Sequence, residues 1–149
     1  MPPTCSAVEL VFSFPIRIYW EDTDAGGVVY HAQYLCFLER TRTEWLRAQG
    51  VEQHGISETQ DLVMAVRSMH LEFEKPARLD DVLDSRLRLT ERRGASFSVS
   101  QELWRGGECL LRADVKVACL RASTFKPRSL PPWLVEAIEA STSEMDSHA

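Results

Sequence analysis

The chain reads as an α+β domain in which one five-stranded antiparallel sheet wraps around a single long helix. Three observations lead there. Five segments carry apolar residues at every second position, the period of a half-buried strand. One uninterrupted stretch carries them at helical spacing. Short turns, not long linkers, join the last four strand-like segments. With 149 residues and no internal repeat or interdomain linker, the sequence fits one domain. A domain of this size buries about 68–70% of its unfolded surface, so its core needs neither disulfide nor metal.

The first strand is expected over Phe12 to Trp20, with Phe12, Phe14, Ile16, Ile18 and Trp20 on one side and Ser13, Arg17 and Tyr19 on the other. Carboxylates and a glycine pair in EDTDAGGVVYH then break the pattern and predict a loop. From about His31 to Gln49, Tyr34, Phe37, Leu38, Thr41, Trp45 and Ala48 recur at helical spacing, Leu35 and Leu46 widen the apolar surface, and Gly50 supplies a stop. So broad an apolar face calls for burial by a sheet.

A polar stretch, Glu52 to Asp61, precedes the remaining strands. Val63, Ala65, Met69, Leu71 and Phe73 alternate up to Lys75-Pro76; Leu83, Leu87 and Leu89 share a side within Val82 to Arg92; Phe97, Val99 and Leu103 share one within Ala95 to Trp104. Arg105-Gly106-Gly107 predicts a hairpin turn, and Cys109, Leu111, Ala113, Val115, Val117 and Cys119 form the cleanest alternation. Pro131-Pro132 can start a short helix from Trp133 to Ala140. The expected boundaries are a flexible segment 1–11, a single domain 12–140 and a disordered tail 141–149. Sheet edges would favour pairing with another subunit.

Composition excludes several function classes. The hydrophobic fraction of 44% and charged fraction of 26% are those of an ordinary globular protein. A formal net charge of -5 without any Lys/Arg run argues against nucleic acid, whose phosphates need a basic face. No stretch approaches the roughly 20 apolar residues of a membrane span. MPPTCSAVELVFSF lacks a basic segment followed by a long apolar run, and Cys5, Cys36, Cys109 and Cys119 match no CxxC pair. A cytoplasmic location with reduced thiols is expected. His31, Cys36, His54 and His70 form no ligand motif, so no metal is expected. GxSxG, GxGxxG and Walker patterns are absent.

The chemistry concentrates in YWEDTDAGGVVYHAQYLCFLERTRTE. Glu21, Asp22 and Asp24 crowd the strand-to-loop transition, Gly26-Gly27 permits close backbone approach, and His31 falls where the helix begins. Those parts suit acyl transfer. A carboxylate can activate water or attack a carbonyl, while N–H groups at a helix start can hold the developing oxyanion. The bland alternative is that the aspartates cap a turn and the glycines only bend a loop.

The longer stretch YWEDTDAGGVVYHAQYLCFLERTRTEWLRAQG resembles the opening of the hot-dog thioesterases of the 4-hydroxybenzoyl-CoA thioesterase superfamily, and within it the YbgC-like proteins associated with the Tol-Pal system. MHLEFEKPARLDD resembles the same family's second-strand segment. The resemblance implies a hot-dog fold and hydrolysis of an acyl-CoA thioester, coenzyme A being part of the substrate and no further cofactor being needed. It places the catalytic aspartate on Asp24 and the helix-start histidine, whose N–H polarises the thioester carbonyl, on His31. Tyr19 or Trp20, together with Gly27, Val29, Tyr30 and Glu39, become candidate substrate-binding positions. Asp22 reads as a structural turn acid, and Glu39, flanked by Arg40, Arg42 and Glu44, also suits an ion-paired structural role. Arg92 and Arg93 beside Gly94 could hold coenzyme A phosphates, or simply form a solvated turn. The resemblance further implies dimers or tetramers with the substrate between subunits, and an acyl carrier protein is a conceivable donor. Rival readings are an acyl-thioester hydratase or dehydratase, and a scaffold that binds acyl carrier protein and hydrolyses weakly.

Overall fold

The computed structural model describes residues 12–147, with side chains through residue 140, so the expected flexible segment 1–11 lies outside the described residues. Five strands form one antiparallel sheet: β1 (Phe12–Arg17), β2 (Val63–Phe73), β3 (Val82–Arg92), β4 (Ser96–Arg105) and β5 (Glu108–Leu120). Their spatial order is β1-β3-β4-β5-β2, which leaves β1 and β2 at the edges. Helix α1 (Gln33–Ala48) lies against the concave face, α2 (Gln53–Thr59) follows it, and α3 (Pro132–Ser147) closes the described chain. This is the fold class expected from the alternating and helical periods.

Helix and sheet interlock through the residues whose spacing announced them. Tyr34, Phe37, Leu38, Thr41, Trp45 and Leu46 of α1 are buried. They meet alternate residues of three strands, among them Leu83 and Leu87, Phe97, Val99 and Leu103, and Leu111, Val115 and Val117. Full burial of each large apolar side chain contributes roughly 1.5–3 kcal/mol, so this seam dominates the stability. Register shifts at Val66/Ser68, Leu89/Glu91 and Leu103/Trp104 mark bulges that help the sheet bend around the helix.

Two polar contacts fix the helix on the sheet. The buried Gln101 amide donates to the Leu38 carbonyl at 3.0 Å and accepts from the Arg42 guanidinium at 3.0 Å. Thr41 donates to the Phe37 carbonyl at 2.9 Å, which leaves the Ser85 hydroxyl to donate to Thr41 Oγ at 2.6 Å. Buried polar groups cost free energy unless paired in this way, so the pairs select one register of helix on sheet.

The structure departs from the expected elements in four places. β1 stops at Arg17, and Trp20 leaves the sheet for a 3₁₀ turn, Trp20–Asp22. The Asp22 carboxylate accepts the Tyr19 N–H at 2.8 Å, which closes the turn that strand continuation would forbid. The polar stretch after Gly50 contains α2, whose Ile56 packs against the core. α3 runs on to Ser147, past the Ala140 at which the short helix was expected to end, and residues 148–149 of the expected tail lie outside the described residues. Cys109 is disulfide-bonded, where reduced thiols were expected, whereas Cys36 and Cys119 are free. Disulfide partners meet in space, so sequence spacing carried no signal for this one.

Candidate active site

The loop between β1 and α1 is a small closed structure. Thr23 bridges Val29, the Asp24 N–H donates to the Val28 carbonyl at 2.8 Å, and the Gly27 N–H donates to the Asp24 carbonyl at 3.0 Å. The Asp24 side chain accepts the Gly26 N–H at 2.8 Å, an aspartate turn that holds the carboxylate at the loop's outer face. Gly27 has φ +79°, a left-handed conformation that side chains resist, which explains the glycine there.

Ala77 joins this loop to both neighbours. Its carbonyl accepts the Val29 N–H at 2.9 Å, and its N–H donates to the Tyr34 hydroxyl at 3.0 Å. The segment carrying Ala77 is itself held by Arg105, which donates to the Pro76 carbonyl at 3.2 Å and to Asp81 at 2.8 Å. Loop, helix start and the β2–β3 connection therefore form one rigid corner. Burial pushes the Tyr34 phenol pKa upward against the lowering effect of its hydrogen bond from the Ala77 N–H, and the negative charge of Asp24 adds to the rise.

Helix α1 begins at Gln33, two residues after the expected start at His31. The Gln33 N–H donates to the Tyr30 carbonyl at 2.8 Å, so His31 and Ala32 form the turn that leads in. Among the described residues, no acceptor pairs with the N–H groups of His31 and Ala32. Orphan donors at a helix start carry partial positive charge and favour an anionic oxygen. The His31 ring is exposed and lies 4.6 Å from the Tyr30 ring.

The candidate residues fall into separate places. Asp24, Trp20 and Gly27 line one open groove of about 500 Å³ with Thr23, Ala25 and Leu79. Trp20 is 81% exposed there, and Leu79 is also exposed, so apolar surface flanks the carboxylate. Tyr19 lines a neighbouring recess with Arg17 and Arg40, on the other side of the 3₁₀ turn. Val29 is buried in the core, and Tyr30 is exposed beside His31. Glu39 lies further along α1, in a recess of about 240 Å³ over Trp45, Met64 and Phe97, and its charge acts on Arg42.

Arg92 donates to Glu139 at 2.8 Å and Arg93 pairs with Glu91, so both arginines are engaged by carboxylates. Asp22 is 4% exposed and bonds to Gln33, a residue whose type and position carried no sequence signal. Among the described residues, no group of three or more His, Cys, Asp or Glu could hold a metal ion, and no helix is long and apolar enough to cross a membrane.

Residues 18–138 match the model of the thioesterase-like superfamily. The "Acyl-CoA thioesterase YbgC" of Haemophilus influenzae is 45% identical over 120 residues, 80% of this chain and 88% of the relative. The "Acyl-CoA thioester hydrolase YbgC" of Escherichia coli is 43% identical over 126 residues, 84% of this chain and 93% of the relative. Among solved structures, a probable thioesterase from Bartonella henselae superposes with a TM-score of 0.78 at 37% identity, over 81% of this chain and 99% of that one. A 1,4-dihydroxy-2-naphthoyl-CoA thioesterase from Synechocystis gives a TM-score of 0.80 at 25% identity, over 86% and 95%.

Proposed function

The chain belongs to the thioesterase-like superfamily and is an acyl-CoA thioester hydrolase, and from that membership we propose that Asp24 and the start of α1 carry out the reaction. The observation that supports this reading is that one exposed carboxylate and the unpaired N–H groups of the helix start belong to the same hydrogen-bonded corner. Asp24 takes a proton from water, and the resulting hydroxide attacks the thioester carbonyl carbon. Negative charge builds on the carbonyl oxygen, and the N–H of His31 stabilises it. Collapse of the tetrahedral intermediate expels the coenzyme A thiolate, which accepts the proton from Asp24. In a second route the Asp24 carboxylate attacks the carbon itself and expels the coenzyme A thiolate, and water then hydrolyses the mixed anhydride, which releases the acid, restores the Asp24 carboxylate and supplies the proton that the thiolate takes up.

Trp20 and Leu79 offer apolar surface beside Asp24 against which the thioester arm can lie, and Gly27 leaves that side of the groove open. Tyr19 and Tyr30 would contact more distant parts of the substrate. Among the described residues β1 pairs only with β3 and β2 only with β5, so each has an open edge that supports assembly into dimers or tetramers. An acyl carrier protein as donor fits the same reading.

The test is release of thiol from a saturated acyl-CoA, followed with a thiol reagent. The expected result is free thiol in step with acid; a hydratase or dehydratase would release none. His31→Ala should lower kcat by less than Asp24→Asn does, because the backbone N–H survives the substitution. An equal or larger loss at His31 would assign the imidazole a direct chemical role.

A further inference from the structure

Asp22 is the most buried ionisable side chain in the loop, yet it makes no ion pair among the described residues. Its Oδ2 accepts the Tyr19 N–H at 2.8 Å and its Oδ1 accepts the Gln33 side-chain N–H at 3.0 Å. Its backbone is equally committed: the N–H donates to the Tyr19 carbonyl at 3.0 Å, and the carbonyl accepts the Tyr30 N–H at 3.0 Å. Burying a carboxylate costs several kcal/mol unless donors surround it. A turn alone could use an exposed aspartate or a serine. The buried position needs a further explanation, and the bond to Gln33 supplies one.

Gln33 is the first residue of α1, and Asp24 lies two residues beyond Asp22. The bond therefore ties the base of the Asp24 loop to the helix start that carries the orphan N–H groups. Resting on the reading above, we infer that Asp22 and Gln33 form a positioning clamp that sets the distance between the Asp24 carboxylate and those N–H groups. A misplacement of about 1 Å at a reacting centre can cost roughly 10²-fold in rate, so a clamp acting across one hydrogen bond has a measurable effect.

The clamp has a defined electrical logic. One partner must be an anion and the other a neutral donor. Gln33→Glu sets two carboxylates against each other and opens the corner. Asp22→Asn/Gln33→Glu restores an amide facing a carboxylate, with donor and acceptor exchanged: Asn at 22 keeps its oxygen for the Tyr19 N–H and offers its NH₂ to Glu at 33.

The experiment measures kcat, KM and the thermal midpoint for wild type, Gln33→Glu, Gln33→Met, Asp22→Asn/Gln33→Glu and Asp24→Asn. We expect Gln33→Glu to lower kcat at least tenfold with KM within about threefold, Gln33→Met to lower it less, and the double variant to recover to within about threefold of wild type. A merely structural bond would move the thermal midpoint without this kcat pattern. Gln33→Glu within twofold of wild type, or a double variant no better than Gln33→Glu, overturns the clamp. If Gln33→Glu does not fold, Gln33→Met decides: a kcat within twofold of wild type overturns the clamp. Asp24→Asn separates the two claims, because an active Asp24→Asn protein removes the mechanism itself, whereas an inactive one with an active Gln33→Glu removes only the clamp.

Discussion

Asp24→Asn lowers kcat by about 10² or more while the protein stays folded. The carboxylate is exposed, and its one side-chain hydrogen bond among the described residues, from the Gly26 N–H, can be accepted equally well by the oxygen of an asparagine. The loop should therefore keep its shape. What disappears is the capacity to take a proton from water or to attack a carbonyl, and loss of a general base typically costs about 10²–10⁴ in rate. Steady-state turnover of an acyl-CoA, with the circular dichroism spectrum as a fold control, measures the effect. A kcat within threefold of wild type would remove Asp24 from the mechanism under either route.

Phe97→Ala is expected to destabilise the fold by about 3–5 kcal/mol. Phe97 is 2% exposed, sits on β4 at the seam between helix and sheet, and packs against Trp45 with ring centroids 5.9 Å apart. Truncation removes its apolar contacts and leaves a void that the surrounding strands cannot fill. Domains carry only about 5–15 kcal/mol of net stability, so one such change removes a large share of it. Urea unfolding should show the loss as an earlier midpoint, and the thermal midpoint should fall by roughly 6–20 °C. A loss under 1 kcal/mol would mean that the Trp45–Phe97 contact does not hold α1 on the sheet.

The legible parts of this fold are those specified by local period. Alternation from Cys109 to Cys119 and helical spacing from Tyr34 to Trp45 correspond to β5 and α1, because in both cases the apolar residues face one buried surface. Gly50, at φ +82°, ends the helix region as its position suggested. The parts that were not legible depend on contacts between distant residues. Trp20 continued the alternation of β1, yet the bond that the Tyr19 N–H donates to the Asp22 carboxylate turns the chain out of the sheet first. α2 has one partly buried apolar residue, Ile56, and too weak a period to announce a helix.

The site divides along the same line. Asp24 and the helix start are neighbours in sequence, so the motif brought both to attention. Arg92 stood near a turn, but its engagement by Glu139 depends on where α3 packs. Gln33 carried no sequence signal, since a single glutamine at a helix start has no characteristic spacing. Only the burial of Asp22 beside it reveals the pair.

The most direct measurement is a crystal structure with an acyl-CoA analogue in which a methylene replaces the thioester sulfur. The expected complex has the ketone oxygen about 2.7–3.1 Å from the His31 N–H and the ketone carbon beside Asp24, either about 3–3.5 Å from a carboxylate oxygen for direct attack or with one water held between them for general-base attack. A ketone bound away from both groups, with Asp24 still facing solvent, would contradict the account.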